Sequence, residues 1–192
     1  MTVPVALAVT AVLALTGNPA DRLADRPLDP VRYDYAHRCI GHAQRGTRML
    51  ESWLTAHWAG ESCGIVRCER FTGRPIWSLH SEGRALDWRL DAGKPAERAA
   101  ALLLIGLLLA PDRTGTPAAL ARRMGVQEII FDCRSWFAGA PGMARYSACY
   151  DARGRSRRID RTSAHRDHVH IGLNWPGARA QTSFWRSPVS RA

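Results

Sequence analysis

Ser78-Leu79-His80-Ser81-Glu82-Gly83-Arg84-Ala85-Leu86-Asp87 and, eighty residues beyond Asp87, Asp167-His168-Val169-His170 carry the reading of this chain. Side chains alternate along a strand with a period of two, so an extended His168-Val169-His170 points both imidazoles to one face and Val169 to a core. In the first stretch Gly83 and the small Ala85 let the chain turn after His80 and re-enter a strand at Leu86-Asp87-Trp88. His80, Asp87 and His170 can then converge on one ion. Two imidazoles and a carboxylate are the donor set with which hydrolases hold zinc while leaving one position open to water. Bound zinc lowers the pKa of water from ~15.7 to ~7 and polarises a carbonyl, which makes amide hydrolysis the natural reaction class. No Gly-x-Ser-x-Gly or other nucleophilic serine or cysteine pattern competes with it.

Outward from these stretches the chain alternates helical and extended patterns. Leu50, Trp53, Leu54, His57 and Trp58 recur at three- and four-residue spacing and predict an amphipathic helix. The apolar run from Ala99 to Ala110 is too short to cross a bilayer and reads as a buried helix begun near Pro95 and closed before Pro111. A further helix is expected with Thr116 as N-cap, Pro117 at its first position and Gly125 just past its end. Strands are expected at Ile65 to Cys68, Leu86 to Leu90, Gln127 to Cys133 and His168 to Asn174, with Val126 to Phe131 reading as buried. These elements predict an α+β domain: a small central antiparallel sheet flanked by helices, with the metal site on the sheet face.

The 192 residues suffice for one sizeable core. Seven tryptophans and 46% hydrophobic residues exclude general disorder. Residues 1–17 are almost entirely apolar or Thr and read as a signal peptide, with an uncleaved membrane anchor as the rival, since ~17 residues is the lower limit for a span. Residues 18–30, rich in Pro, Asp and Arg, read as a linker, and 31–192 as the domain. Five cysteines without a Cys-x-x-Cys pair suit an oxidising, extracytoplasmic space. Cys133 and Cys149 bracket a Gly- and Pro-containing loop and are expected to be bridged. Two of Cys39, Cys63 and Cys68 would form a second bridge, with Cys39–Cys68 favoured, leaving one odd thiol.

The gapless Ser-x-His-x-x-Gly-x-Ala-x-Asp of residues 78–87, together with Asp167-His168-Val169-His170, resembles the lysostaphin, D-Ala-D-Ala metallopeptidase and hedgehog superfamily, in particular its D,D-carboxypeptidase branch and secreted actinobacterial domains. The resemblance covers roughly Cys63 to Trp175. It implies that His80, Asp87 and His170 bind Zn2+, and that His168 matches a non-ligand histidine beside the metal. Asp167 stands where D,D-carboxypeptidases carry a catalytic glutamate, one methylene shorter. The base is therefore Asp167 or His168, with Asp167 favoured and His168 then stabilising the oxyanion.

The net charge of +10 points to an anionic environment. Arg153, Arg155, Arg157, Arg158, Arg161 and Arg166 crowd the approach to the second motif; a solvated loop is the favoured reading, attraction to anionic cell-wall polymers the functional one. No recognition helix, aromatic stacking motif or finger accompanies them, so nucleic acid is not expected. Arg67, Arg70, Arg74 and Arg134 are candidates for gripping a substrate carboxylate. His165 is a candidate substrate contact, while His37, His42 and His57 read as surface or core residues. The expectation is a secreted zinc metallopeptidase, touching a membrane only through an uncleaved N-terminal segment; the resemblance implies that it acts on peptidoglycan stem or cross-link peptides, in the manner of D,D-carboxypeptidases or endopeptidases. Its rival is a zinc-stabilised cell-wall binding module without turnover.

Overall fold

The structure is a computed structural model and describes residues 17–70 and 77–191. The export segment expected at 1–17 and the candidate Arg74 thus lie outside the described residues, Gly17 excepted. Six strands, β1 (Glu61–Gly64), β2 (Ala85–Arg89), β3 (Val126–Phe131), β4 (Arg134–Phe137), β5 (Ala144–Arg145) and β6 (His168–Leu173), form one antiparallel sheet in the order β1-β2-β6-β3-β4-β5. Among the described residues four α-helices accompany it: α1 (Arg45–His57), α2 (Pro95–Leu109), α3 (Ala119–Met124) and the short α4 (Trp175–Ala178). This is the α+β arrangement with a central sheet that the patterning predicts. Among the described residues no helix is long and apolar enough to cross a membrane.

The strand period sorts side chains onto two faces. Leu86 and Trp88 of β2, Val169, Ile171 and Leu173 of β6, and Ile129 and Phe131 of β3 pack into the main core with Leu50 and Leu54 of α1 and Leu104 and Leu108 of α2. The intervening residues Asp87, His168, His170, Glu128 and Ile130 belong to the opposite face. Register then sets their neighbours: Asp87 lies opposite His170, and Ile130 lies opposite His170 on the other side. At roughly 2 kcal/mol per fully buried large apolar side chain, the core face anchors the polar face that carries the site.

Several elements differ from their sequence expectation for identifiable reasons. The strand expected at Ile65 to Cys68 is instead β1, Glu61–Gly64. Past Gly64 the backbone leaves the ladder, because the Ile65 carbonyl accepts from His80 and Cys68 is bridged to Cys39. Helix α3 begins at Ala119 rather than Pro117, since the Thr116 amide bonds the Asp112 carboxylate and Ala118 takes a left-handed φ of 49°. Gly125 closes that helix as expected, with φ 76°. Residues 18–30, read as a linker, lie against the domain: Asn18 caps a 3-10 turn over Pro19–Leu23 that buries Ala20 and Leu23 in the main core, and Asp29 accepts from Ser183.

Both expected disulfides form, Cys133–Cys149 and Cys39–Cys68, and Cys63 is the odd thiol, exposed on β1. Two bridges fit an oxidising, extracytoplasmic environment.

Candidate metal centre

His80 is delivered by a 3-10 turn, Leu79–Glu82, whose ends are written in the sequence. Ser78 Oγ accepts from the His80 amide, and Gly83 closes the turn in the left-handed region at φ 65°. A side chain at Gly83 would collide with the His42 carbonyl, its Cβ falling 2.0 Å from that oxygen. Ser81 Oγ donates within the 67–69 segment and accepts from the Glu69 amide. The fully buried Arg84 locks the following backbone: it pairs with Glu82, donates to the Leu173 and Asp34 carbonyls, and stacks over Trp175 at 4.7 Å. Gly172 completes the seat, because a Cβ there would meet Leu79 Cδ1 at 2.4 Å.

The turn, β2 and β6 bring three buried donors together. His80 Nε2 lies 3.1 Å from Asp87 Oδ1 and 3.2 Å from His170 Nδ1, and His170 Nδ1 lies 3.0 Å from the same carboxylate oxygen. The far nitrogens are also engaged. His80 Nδ1 donates to the Ile65 carbonyl at 2.7 Å, and His170 Nε2 faces Glu128 Oε1 at 3.1 Å, in ion-pair range but off the angle of a good hydrogen bond. With the protons on these far nitrogens, both near nitrogens turn a lone pair toward the space they share with Asp87. Such a group can hold a metal ion.

Charge distribution supports this. Burial would raise the Asp87 carboxyl, but the His170 and His80 imidazoles set against its Oδ1 hold it well below the usual carboxylate range. Burial opposes charging of His170, yet its hydrogen bond to Asp87 and the Glu128 carboxylate beside it win and push its pKa up to about 9. Burial lowers His80, aided by the nearby His170 charge. The pocket thus stabilises one positive charge between two carboxylates, which a cation can supply.

The neighbouring residues take definite places. His168 Nε2 lies 3.5 Å from Asp87 Oδ1, and its Nδ1 lies 2.7 Å from Asp167 Oδ1. Asp167 Oδ2 accepts from Thr162, so this carboxylate stands behind His168 rather than against the three donors. The His165 ring lies tilted against His168 and edge-on to His170, with centroids 4.9 and 5.5 Å away, and burial together with their charges lowers its pKa to about 3. Arg67 reaches the second oxygen of Asp87 at 2.7 Å. Arg70 stacks on Trp77, and Arg134 donates to the Met143 carbonyl. Of the arginine-rich approach, Arg155, Arg161 and Arg166 pair with Asp151, Asp91 and Asp132, consistent with a solvated loop. His37, His42 and His57 are exposed and are not members of the group of donors that could hold an ion.

Glu128 and Tyr33 enter the site without having been foreseen. Tyr33 Oη donates to Glu128 Oε2, and Glu128 in turn faces His170. The available signal was Glu128 itself, a lone carboxylate in the otherwise uncharged run Val126-Gln127-Glu128-Ile129-Ile130-Phe131, where burial demands a partner. Comparison of the chain with family models, curated proteins and solved structures finds no match.

Proposed function

We propose that the protein is an exported zinc metallopeptidase that hydrolyses peptide bonds in peptidoglycan stem or cross-link peptides. The observation that carries this reading is the triangle of His80 Nε2, Asp87 Oδ1 and His170 Nδ1, with sides of 3.0 to 3.2 Å. Ligand atoms ~2.0–2.1 Å from a tetrahedral zinc stand about 3.3 Å apart, so the three donors need only spread slightly. Imidazole and carboxylate donors select zinc over the oxygen-preferring magnesium and calcium. The substrate class follows from the resemblance of the two motifs.

When bound, zinc supplies Lewis acidity, acidifying water and polarising a carbonyl. The protein's own part centres on His168. Its Nε2 faces the donors, and its Nδ1 is held by Asp167, itself fixed by Thr162. His168 is thereby positioned to take the proton of attacking water at Nε2 and return it to the leaving amine, with Asp167 orienting the ring. Arg67 holds the free oxygen of Asp87 and keeps that carboxylate turned to the two histidines.

The engagement of Asp167 with Thr162 and His168 favours a second reading, a metal-stabilised wall-binding module without turnover. Turnover on purified peptidoglycan and on short D-Ala-D-Ala peptides, with and without zinc, separates the two. His168→Ala should lose roughly 10²-fold or more in turnover and keep its zinc, and Asp167→Asn should lose less. Full zinc with no hydrolysis of any wall peptide would overturn the peptidase reading; unchanged rates in both variants would remove this pair from the mechanism.

A further inference from the structure

All four tyrosines of the chain, Tyr33, Tyr35, Tyr146 and Tyr150, line one cleft. Trp77 and Phe137 join them around a space of about 1240 Å³, and Glu128, the partner of His170, lines the same space. The cleft therefore adjoins the metal centre. Tyr33 packs edge-on against Tyr35 at 4.9 Å and Phe137 at 5.8 Å, making a continuous aromatic wall. Tyr35 is 59% exposed and Phe137 39%, an aromatic surface of the kind that marks a binding site.

Both walls are rigidly held. Tyr33 and Tyr35 flank Asp34, whose backbone bonds the Gln127 side chain at both ends and whose carboxylate accepts from the Trp175 amide. Tyr146 and Tyr150 flank Cys149, bridged to Cys133, and the Tyr146 amide donates to the Cys133 carbonyl. Such a cleft loses little ordering free energy on binding.

The lining chemistry selects the occupant. Tyrosine offers an apolar face with a hydroxyl at its edge, which suits rings that have C–H faces and polar rims, as pyranose sugars do. Among the described residues, branched aliphatic side chains that would receive an apolar peptide are represented in the lining by Leu79 and Ile130. Arg145 lies over the Tyr150 ring and bonds the Gly154 carbonyl, while Arg157 bonds the Tyr150 carbonyl. These two arginines can donate to amide oxygens but form no continuous rail for a phosphate backbone. Of the two carboxylates, Glu128 is taken by Tyr33 and His170 and Asp151 by Arg155. The volume exceeds the ~300–1,000 Å³ of ordinary small-molecule sites, which favours a polymer segment.

We propose that this cleft binds a strand of N-acetylated amino sugars, seating a glycan while its attached peptide enters the metal centre; the second half of this statement rests on the peptidase reading. The test titrates the zinc-loaded protein with a peptide-free β-linked N-acetylglucosamine tetramer, by calorimetry and intrinsic fluorescence, with cleavage of a free stem peptide measured in parallel. Saturable binding is expected, weakened at least about 5-fold by Tyr35→Ala and by Tyr150→Ala, with thermal midpoint and zinc content retained. Arg48→Ala, on the exposed side of α1, should bind like the wild type. Absence of saturable binding, binding indifferent to both tyrosine variants, or tighter binding of an oligothymidylate of matched length would overturn the proposal. Peptide cleavage without sugar binding would overturn it while sparing the peptidase; sugar binding without cleavage of any wall peptide would do the reverse.

Discussion

Glu128 should set the metal affinity although it touches no metal. Its Oε1 stands 3.1 Å from His170 Nε2, and its Oε2 is held by Tyr33. A carboxylate behind a histidine ligand fixes the tautomer that turns Nδ1 inward and makes that nitrogen a stronger donor; removing such a partner costs about 10- to 100-fold in metal affinity. Glu128→Gln keeps the volume and the Tyr33 contact but loses the charge, so a loss near the lower figure, about 1.4 kcal/mol, is expected. Glu128→Ala also frees the His170 ring and should approach the upper figure, about 2.7 kcal/mol. Tyr33→Phe, which only loosens Glu128, should cost less than either. Competition with a chromophoric chelator at neutral pH measures each affinity, with circular dichroism confirming folding. Zinc affinity of folded Glu128→Ala within about twofold of wild type would refute the reasoning, since the His170 tautomer would then not depend on this carboxylate.

Metal affinity should rise with pH and level off above about 9, because the ion displaces the proton whose pKa on His170 is raised from 6.5 to about 9. The metal-free protein should behave oppositely: the stability contributed by charged His170 is fully present below 6.5 and is lost as pH climbs through 9, which denaturant melts across that window would register. Gly83→Ala should destabilise by more than about 2 kcal/mol in urea unfolding, because its φ of 65° and the His42 carbonyl 2.0 Å from the new Cβ leave the backbone no simple relief. Replacing Cys133 and Cys149 together by Ser should remove about 3 kcal/mol, from the 16-residue separation that the bridge closes, and a melt unchanged from wild type would contradict it.

Local sequence by itself determined what most stretches become and which face they present. The period of two at His168-Val169-His170, the Ser78 and Gly83 ends of the turn, Pro95 and Pro111 around α2, and the Cys133–Cys149 loop all act over a few residues, where backbone sterics and side-chain alternation suffice. Tertiary structure alone decided who meets whom. Register between β3 and β6 sets Ile130 opposite His170 and Glu128 opposite Gly172, so a glutamate more than forty residues away becomes the histidine's partner. Ile65 leaves its strand because a buried imidazole needs its carbonyl, and Arg67 turns to Asp87 because a buried carboxylate oxygen needs a cation. Two tyrosine pairs, one near residue 34 and one near Cys149, become a single cleft only when the sheet and its bridges bring them together. Periodicity reports a residue's own backbone and its face, whereas contacts across the sheet depend on pairing between segments distant in the chain, which no local pattern encodes.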